Sequence, residues 1–144
     1  NITENAIKLV HNCYAKSKII IAKKANKKEL AYLYNGANAF LTVSLFEEFP
    51  INALEALSCG TPVIAYETSC FKEILGFSGI LIKPSDKNSF IQAMTEITRN
   101  VNLRLKLRAL GTQIMNKYSP QNCAKHLRKI FKEVFLEEYK PDEK

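Results

Sequence analysis

Two glutamates separated by seven residues are the side chains of this sequence best suited to ligand chemistry. Glu47 follows the apolar run 39–43, which predicts a strand, and Glu55 comes one turn into a predicted helix. A strand that turns into a helix presents backbone N–H groups and the positive end of the helix dipole to an anion, usually a phosphate. Each carboxylate can accept hydrogen bonds from two hydroxyl groups. The pattern therefore predicts a ligand that is both phosphorylated and rich in hydroxyls, and a nucleotide sugar is both.

The residues on either side of this pair resemble those of a known family. Ser44 precedes the glutamates, and Ala56-Leu-Ser-Cys-Gly-Thr-Pro-Val63 follows them, at the end of the helix and the start of a second strand. This combination resembles the donor domain of the retaining GT-B glycosyltransferases of the family-four type, also called glycosyl transferases group 1. These enzymes move a sugar from a nucleotide sugar. The similarity continues through Glu73 and runs from about Lys18 to the turn at Tyr118.

The resemblance implies a role for each residue of the turn. Glu47 would bind hydroxyls of the transferred sugar, Glu55 would bind the ribose, and backbone amides at the helix start would contact the diphosphate. The base would rest near residues 22–24, Ala22 to Lys24. The implied binding residues are Ser44, Phe49, Pro50, Ile51, Asn52 and Glu55, with Glu47 as the catalytic residue. Because a nucleoside diphosphate departs, electrostatic support of the leaving group is the main catalytic demand. We expect no metal and no cofactor, the nucleotide-diphosphate sugar being the substrate.

The same residues also have simpler interpretations, which the sequence leaves open. Glu55 can complement the helix N-terminus, Glu47 can be a surface charge of the loop, and Ser44 can end its strand. The family often has glycine where this chain has Glu48, and Pro50 removes one backbone donor. These departures concern the detail of the phosphate contact more than the fold.

Length and charge restrict the class of protein. A chain of 144 residues suits one domain, and no apolar run is long enough to predict a transmembrane helix. The formal net charge is +7, and most of the cations are lysines spread along the chain. A scattered lysine coat is usually a solvated surface, and docking on an anionic membrane is an alternative. Arginine, which phosphate and base recognition favour, is scarce, so we expect no nucleic-acid partner.

Cysteine and histidine usage points to reduced thiols and to no metal site. The four cysteines are widely scattered and include no Cys-x-x-Cys pair; they are Cys13, Cys59, Cys70 and Cys123. Neither histidine has a second ligand at metal spacing. We therefore expect reduced thiols and a cytoplasmic location, with peripheral contact at the inner face of the membrane as an option.

Strand and helix patterns alternate, which predicts an α/β fold with a Rossmann-like parallel sheet flanked by helices. The predicted strands are 19–22, 39–43, 62–66 and 79–82. The predicted helices are 2–13, 29–35, one that ends at Gly60, 71–75, one after the N-cap Asp86, 103–115, and one from Pro120 to about Tyr139. We assign the apolar stripes of these helices to the core, including Leu30, Leu33 and Tyr34 in the second helix and Cys123, Leu127, Ile130, Phe131 and Val134 in the last.

The resembled donor domain has more parts than this sequence. Residues 1–118 would be a partial nucleotide-sugar-binding domain, and residues 119–144 its C-terminal helix and charged tail. The family's first two strands, the Arg and Lys after the first of them, and the acceptor-binding half have no counterpart here. We therefore expect a C-terminal fragment of a longer enzyme, inactive alone, whose other half binds a glycan or lipid-linked acceptor. The alternative is a nucleotide-sugar-binding module without transferase activity.

Overall fold

The computed structural model describes residues 19–20, 22 and 24–138, with side chains described up to Phe135. The chain divides into two units, Asn1–Leu30 and Ala31–Lys144. The helix predicted at 2–13 lies outside the described residues. The strand predicted at 19–22 is wrong, because residues 19, 20 and 22 are exposed and belong to no strand. A β-branched run becomes a strand only where a neighbouring strand shares its backbone hydrogen bonds, and composition alone does not supply that neighbour.

Helices and strands alternate through the rest of the described chain. In order they are α1 Lys27–Gly36, β1 Phe40–Thr42, α2 Ile51–Ser58, β2 Val63–Tyr66, α3 Ser69–Leu75, a 3-10 turn Gly76–Ser78, β3 Gly79–Ile82, α4 Lys87–Arg99, α5 Val101–Lys117 and α6 Pro120–Glu138. The helices and the last three strands predicted within this range are confirmed, with shifts of a few residues at their ends.

The three strands form one parallel sheet in the order β1-β2-β3. Leu41 of β1 lies opposite Ile64 of β2, and Ile64 lies opposite Ile80 of β3. Parallel neighbours need a crossover connection, which α2 supplies between β1 and β2, and α3 between β2 and β3. Helix α2 packs on β1 and β2, and α4 packs on β2 and β3. The predicted α/β fold with a Rossmann-like parallel sheet flanked by helices is confirmed.

The core is centred on β2, where Val63, Ile64 and Ala65 are fully buried. Ile64 packs with Ile97 of α4 and Leu107 of α5. Successive side chains of a strand point to opposite faces, so a central strand buried along its length needs cover on both faces. This burial makes the sheet a rigid support for the loops at its ends.

Side-chain caps and glycines set the helix ends close to the predicted positions. Asp86 accepts a hydrogen bond from the Ser89 N–H at 3.0 Å, which confirms it as the N-cap of α4. Ser119 accepts one from the Asn122 N–H at 3.3 Å, in front of Pro120. Gly60, just beyond α2, has φ +75, a conformation that costs an L-residue strain.

The core assignment of the last helix is wrong. Every described side chain of α6 is exposed except Asn122, which is half-buried. The residues of the predicted inward stripe, Leu127 and Phe131 among them, face solvent, and α5 is the main neighbour of the helix. In α1 the same assignment is wrong for Leu33, which is exposed, while Tyr34 is buried. Helical spacing identifies an apolar face but does not determine what covers it.

Candidate functional site: the glutamate loop and the start of α2

The loop between β1 and α2 leaves the sheet at the carboxyl end of β1. Residues 43–50 have no regular structure, and Glu47 is half-buried within them. Open α/β sheets bind their ligands beyond the carboxyl ends of the strands. The loop therefore lies where the fold class places a ligand.

A cavity of about 280 Å³ lies between this loop, the strand end and α2. Its lining is Phe40, Thr42, Glu47, Phe49, Pro50, Ile51, Asn52, Ala53 and Phe71. The structure thus brings Glu47 together with the four residues predicted at the diphosphate. Thr42 and Phe71 were not predicted as site residues; Thr42 could have been found as the last residue of its strand.

The first turn of α2 leaves backbone donors at this cavity. The Ile51 N–H donates to the Phe49 carbonyl at 2.9 Å and the Leu54 N–H to the Pro50 carbonyl at 3.1 Å. No side chain caps the helix, and the N–H groups of Asn52 and Ala53, between those two donors, have no acceptor within the described residues. Free N–H groups together with the helix dipole suit an anion.

A second cavity, of about 300 Å³, lies on the other side of Glu47. Its lining is Glu47, Glu48, Phe49, Ser69, Cys70, Glu73, Ile74 and Tyr118. Burial, followed by the negative charges of Glu47 and Glu73, raises the pKa of the Cys70 thiol. The thiol is therefore neutral, and this side of Glu47 is a region of negative potential.

Two contacts from other elements hold the glutamate loop. The Cys70 thiol donates to the Glu48 carbonyl at 3.4 Å, and the Phe49 ring meets the Tyr118 ring edge-on with 6.0 Å between centroids. Cys70 lies on α3, and Tyr118 lies at the junction of α5 and α6. Their contacts join segments far apart in sequence, so no spacing pattern could have identified them as neighbours of Glu47.

Two predicted site residues lie outside both cavities. The Ser44 hydroxyl donates to the Phe46 carbonyl at 3.0 Å, inside the loop itself. Glu55 is half-buried on α2. Burial raises the pKa of the Tyr34 hydroxyl, and the charges of Glu55 and Cys59 raise it further. The structure does not gather Glu55 and Glu47 around one cavity.

The segment predicted near the base is described only in part. Ala22 and Lys24 are exposed and have no regular structure, and Lys23 lies outside the described residues. They belong to the unit Asn1–Leu30, whereas the residues that line both cavities belong to the unit Ala31–Lys144.

Comparison with known proteins identifies the family of the chain. The family model described as "Glycosyl transferases group 1" matches residues 3–113, a range that contains β1, the glutamate loop and α2. The chain belongs to this family. The resemblance derived from the glutamate pair and the Gly-Thr-Pro-Val segment is confirmed at the level of the group 1 glycosyltransferases.

The relatives that the chain matches are named for different sugars and acceptors. The chain is 29% identical over 96 residues to O-antigen chain mannosyltransferase B of Escherichia coli. This match covers 67% of the chain and 25% of that protein. The chain is 30% identical over 109 residues to D-inositol 3-phosphate glycosyltransferase of Corynebacterium jeikeium, covering 74% of this chain and 26% of the relative. A sucrose-phosphate synthase of Zea mays is 23% identical over 137 residues, 90% of this chain and 13% of its own length. The chain spans about a quarter of the first two relatives.

Proposed function

We propose that this chain is the donor-binding part of a retaining glycosyltransferase that transfers a hexose from a nucleotide sugar. The observation that carries the proposal is the cavity at which Glu47 and the uncapped start of α2 meet. A carboxylate for hydroxyls and free N–H groups for phosphate are the two requirements of a nucleotide-diphosphate sugar. Two of the relatives are named as a mannosyltransferase and a glycosyltransferase, which supports the same class of enzyme.

In this proposal the diphosphate lies at the start of α2. The N–H groups of Asn52 and Ala53 donate to its oxygens, and the helix dipole stabilises the charge that grows as the nucleoside diphosphate departs. Pro50 has no N–H, yet it precedes these two donors and does not interrupt them. The Glu47 carboxylate accepts hydrogen bonds from hydroxyls of the transferred sugar and thereby fixes the orientation of the reacting carbon.

Glu55 is assigned to the ribose, on the other side of the first turn of α2. The acceptor, a glycan or a lipid-linked sugar, is assigned to a part of the parent protein beyond these 144 residues, since the relatives are much longer. The chain alone is therefore proposed to bind donor without transferring sugar, and the parent protein is proposed to act in the cytoplasm.

Ligand binding to the full chain tests the assignment of Glu47. The probes are uridine, guanosine and adenosine diphosphohexoses and the same nucleoside diphosphates without sugar, titrated by NMR or calorimetry. Glu47→Gln should weaken binding of the preferred nucleotide sugar about tenfold, as expected from the loss of a charge-assisted hydrogen bond of about 1.5–3 kcal/mol. It should leave binding of the sugar-free diphosphate unchanged.

The adjacent Glu48→Gln is the matched control, because Glu48 is exposed and lines only the second cavity. This variant should bind both ligands as tightly as the unmodified chain does. Glu55→Gln should weaken the binding of both ligands to the same extent, since both contain the ribose. Absence of nucleotide-sugar binding by the unmodified chain, or equal losses in the Glu47 and Glu48 variants, would contradict the proposal. Donor binding without turnover by the complete parent protein would favour a binding module instead.

A further inference from the structure

The segment Gly60-Thr-Pro-Val63 leads from α2 into β2 and lines neither cavity at Glu47. Two of its residues nevertheless contact Phe40, the first residue of β1, and Phe40 lines the first cavity. Val63 lies opposite Phe40 in the sheet, and the Phe40 N–H donates to the Pro62 carbonyl at 2.8 Å. The backbone of this segment therefore fixes where Phe40 enters the sheet.

Thr61 reaches Phe40 by a second route, through its side chain. Thr61 is 2% exposed, and its hydroxyl donates to the Tyr34 carbonyl at 2.5 Å, across 27 residues of sequence. The Tyr34 ring is buried as well and meets the Phe40 ring edge-on, with 5.6 Å between centroids. The hydrogen bond from Thr61 thus ties the end of α1 to the start of β2, and Tyr34 lies between Thr61 and a wall of the cavity.

We propose that Thr61 is a positioning residue of the first cavity. It does not touch the ligand; it holds Tyr34, and the Tyr34 ring holds the Phe40 ring at the cavity wall. A close-packed interior has few voids to absorb a displacement, so a shift of Tyr34 is passed on to Phe40. A site keeps one geometry only when the residues behind its lining are fixed. The ligand in this inference is that of the proposed function, on which it rests.

A second buried hydroxyl separates this role from stability alone. Ser78 is also 2% exposed, and its hydroxyl donates to the Leu75 carbonyl at 2.6 Å. Like Thr61, it lies just before a strand, in this case β3. Its bond closes a local turn over three residues, whereas the bond of Thr61 joins two elements. Loss of the Ser78 hydroxyl should therefore destabilise the fold without moving the wall at Phe40.

NMR spectra of the ligand-free full chain test the contacts from Thr61 to Phe40. Thr61→Val removes the hydroxyl and keeps the shape of the side chain, whereas Thr61→Ser keeps the hydroxyl. We expect Thr61→Val to change the chemical shifts of the Phe40 ring, because the neighbouring Tyr34 ring moves. Thr61→Ser and Ser78→Ala should leave these shifts near those of the unmodified chain. Thr61→Val and Ser78→Ala should lower the melting temperature by similar amounts, about 2–6 °C.

Titration with the uridine, guanosine and adenosine diphosphohexoses then measures the effect on the cavity. Thr61→Val should weaken binding of the preferred nucleotide sugar about three- to tenfold, the fold-change that corresponds to one edge-to-face aromatic contact. Thr61→Ser and Ser78→Ala should bind it as the unmodified chain does. Phe40→Leu should weaken binding to a similar extent. Adding Thr61→Val to Phe40→Leu should change binding little further, because residues that act through one contact are not additive.

Three results would overturn the inference. Unchanged Phe40 signals in Thr61→Val would show that the hydroxyl does not hold the ring, and undiminished binding by that variant would show that the ring position does not matter. Equal losses of binding in Thr61→Val and Ser78→Ala would make Thr61 a stabilising residue only. If Thr61→Val moves the Phe40 ring but the unmodified chain binds no nucleotide sugar, Thr61 still positions the cavity wall, and the proposed function is what fails.

Discussion

Helices α2 and α6 carry similar apolar stripes, yet one is buried and the other is not. In α2, which has eight residues, Ala53, Leu54, Ala56 and Leu57 are all buried. In α6, which has nineteen, no described side chain is buried. The difference follows from connectivity: α2 joins two parallel neighbours and must cross the sheet that they form. Helix α6 follows the last strand by way of two other helices, so the described fold does not oblige it to lie on the sheet.

This difference separates two kinds of surface. The start of α2 is held by the sheet, and a rigid support is what a site needs to position donors for a ligand. The apolar face of α6 is covered by none of the residues that the structure describes. Each of the following changes tests this contrast, beginning with the largest expected effect.

The strongest test compares two phenylalanines. Phe71, 1% exposed, packs in the core at the edge of the first cavity, and Phe71→Ala should lower the free energy of unfolding by about 3–5 kcal/mol. Phe131→Ala on α6 should change it by less than about 0.5 kcal/mol. Denaturant titration measures both. Similar losses would mean that α6 is packed against the fold in solution and that the contrast is wrong.

The turn that returns the chain from α2 to β2 offers a second test. Gly60 has φ +75, so Gly60→Ala should cost about 1–2 kcal/mol of stability. The added methyl group would also displace the flexible Arg108 side chain. Gly36→Ala is the control, because that glycine is the last residue of α1 and an added Cβ meets nothing within 4 Å. Thermal melting should show that Gly36→Ala is neutral or stabilising. Equal losses of stability in the two variants would show that the left-handed turn does not determine the placement of α2.

Tyr118 connects the two regions. It lies where α5 meets α6 and packs on Phe49 of the glutamate loop. An aromatic edge-to-face pair is worth about 0.5–1.5 kcal/mol, so Tyr118→Ala should weaken nucleotide-sugar binding a few-fold. Tyr118→Phe should retain it, because the ring remains, and so should Tyr32→Ala, since that ring is exposed on α1. If Tyr118→Phe binds the nucleotide sugar as weakly as Tyr118→Ala does, the hydroxyl rather than the ring contact supports the site.

The smallest expected effect on stability concerns Asp86, the N-cap of α4, which packs on the sheet. The N–H and hydroxyl of Ser89 hold the pKa of Asp86 below its usual value. The ionised cap therefore stabilises the fold fully above the unfolded-state pKa of about 3.9, and this contribution is lost as the pH falls through the lower folded-state pKa. Melting curves should show Asp86→Asn slightly less stable than the unmodified chain at neutral pH, with a difference that shrinks in acid. The cap of α6, the Ser119 hydroxyl, has no such dependence. A difference that grows in acid would contradict the assignment.

Local signals predicted local structure well. The run 79–82 became β3 without change, and Asp86 caps the helix that it was expected to cap. These features depend on residues within one turn or one strand, where steric preferences and nearby hydrogen bonds act directly. The placement of Glu47 beside residues 49–52 was predicted for the same reason, since all lie in one short loop and the helix turn after it.

Predictions that needed a distant partner were less successful. The run 19–22 had the composition of a buried strand, but its described residues are exposed. Cys70 and Tyr118 lie on other elements and line the second cavity beside Glu47, and no sequence motif predicted them there. Glu55 has the spacing that relates it to Glu47, but it lines neither cavity, because the packing of α2 determines which of its residues face the loop.

The sequence by itself determined the family, the alternation of strands and helices, and the loop that holds Glu47, because these follow from short motifs and from the period of apolar residues. Only the tertiary structure decided which apolar faces are covered, which side chains meet at each cavity, and that none of the described residues covers the apolar face of α6. The physical reason is that burial is a property of pairs of surfaces. A sequence pattern describes one surface of each pair, and the topology of the chain determines whether the second one is present.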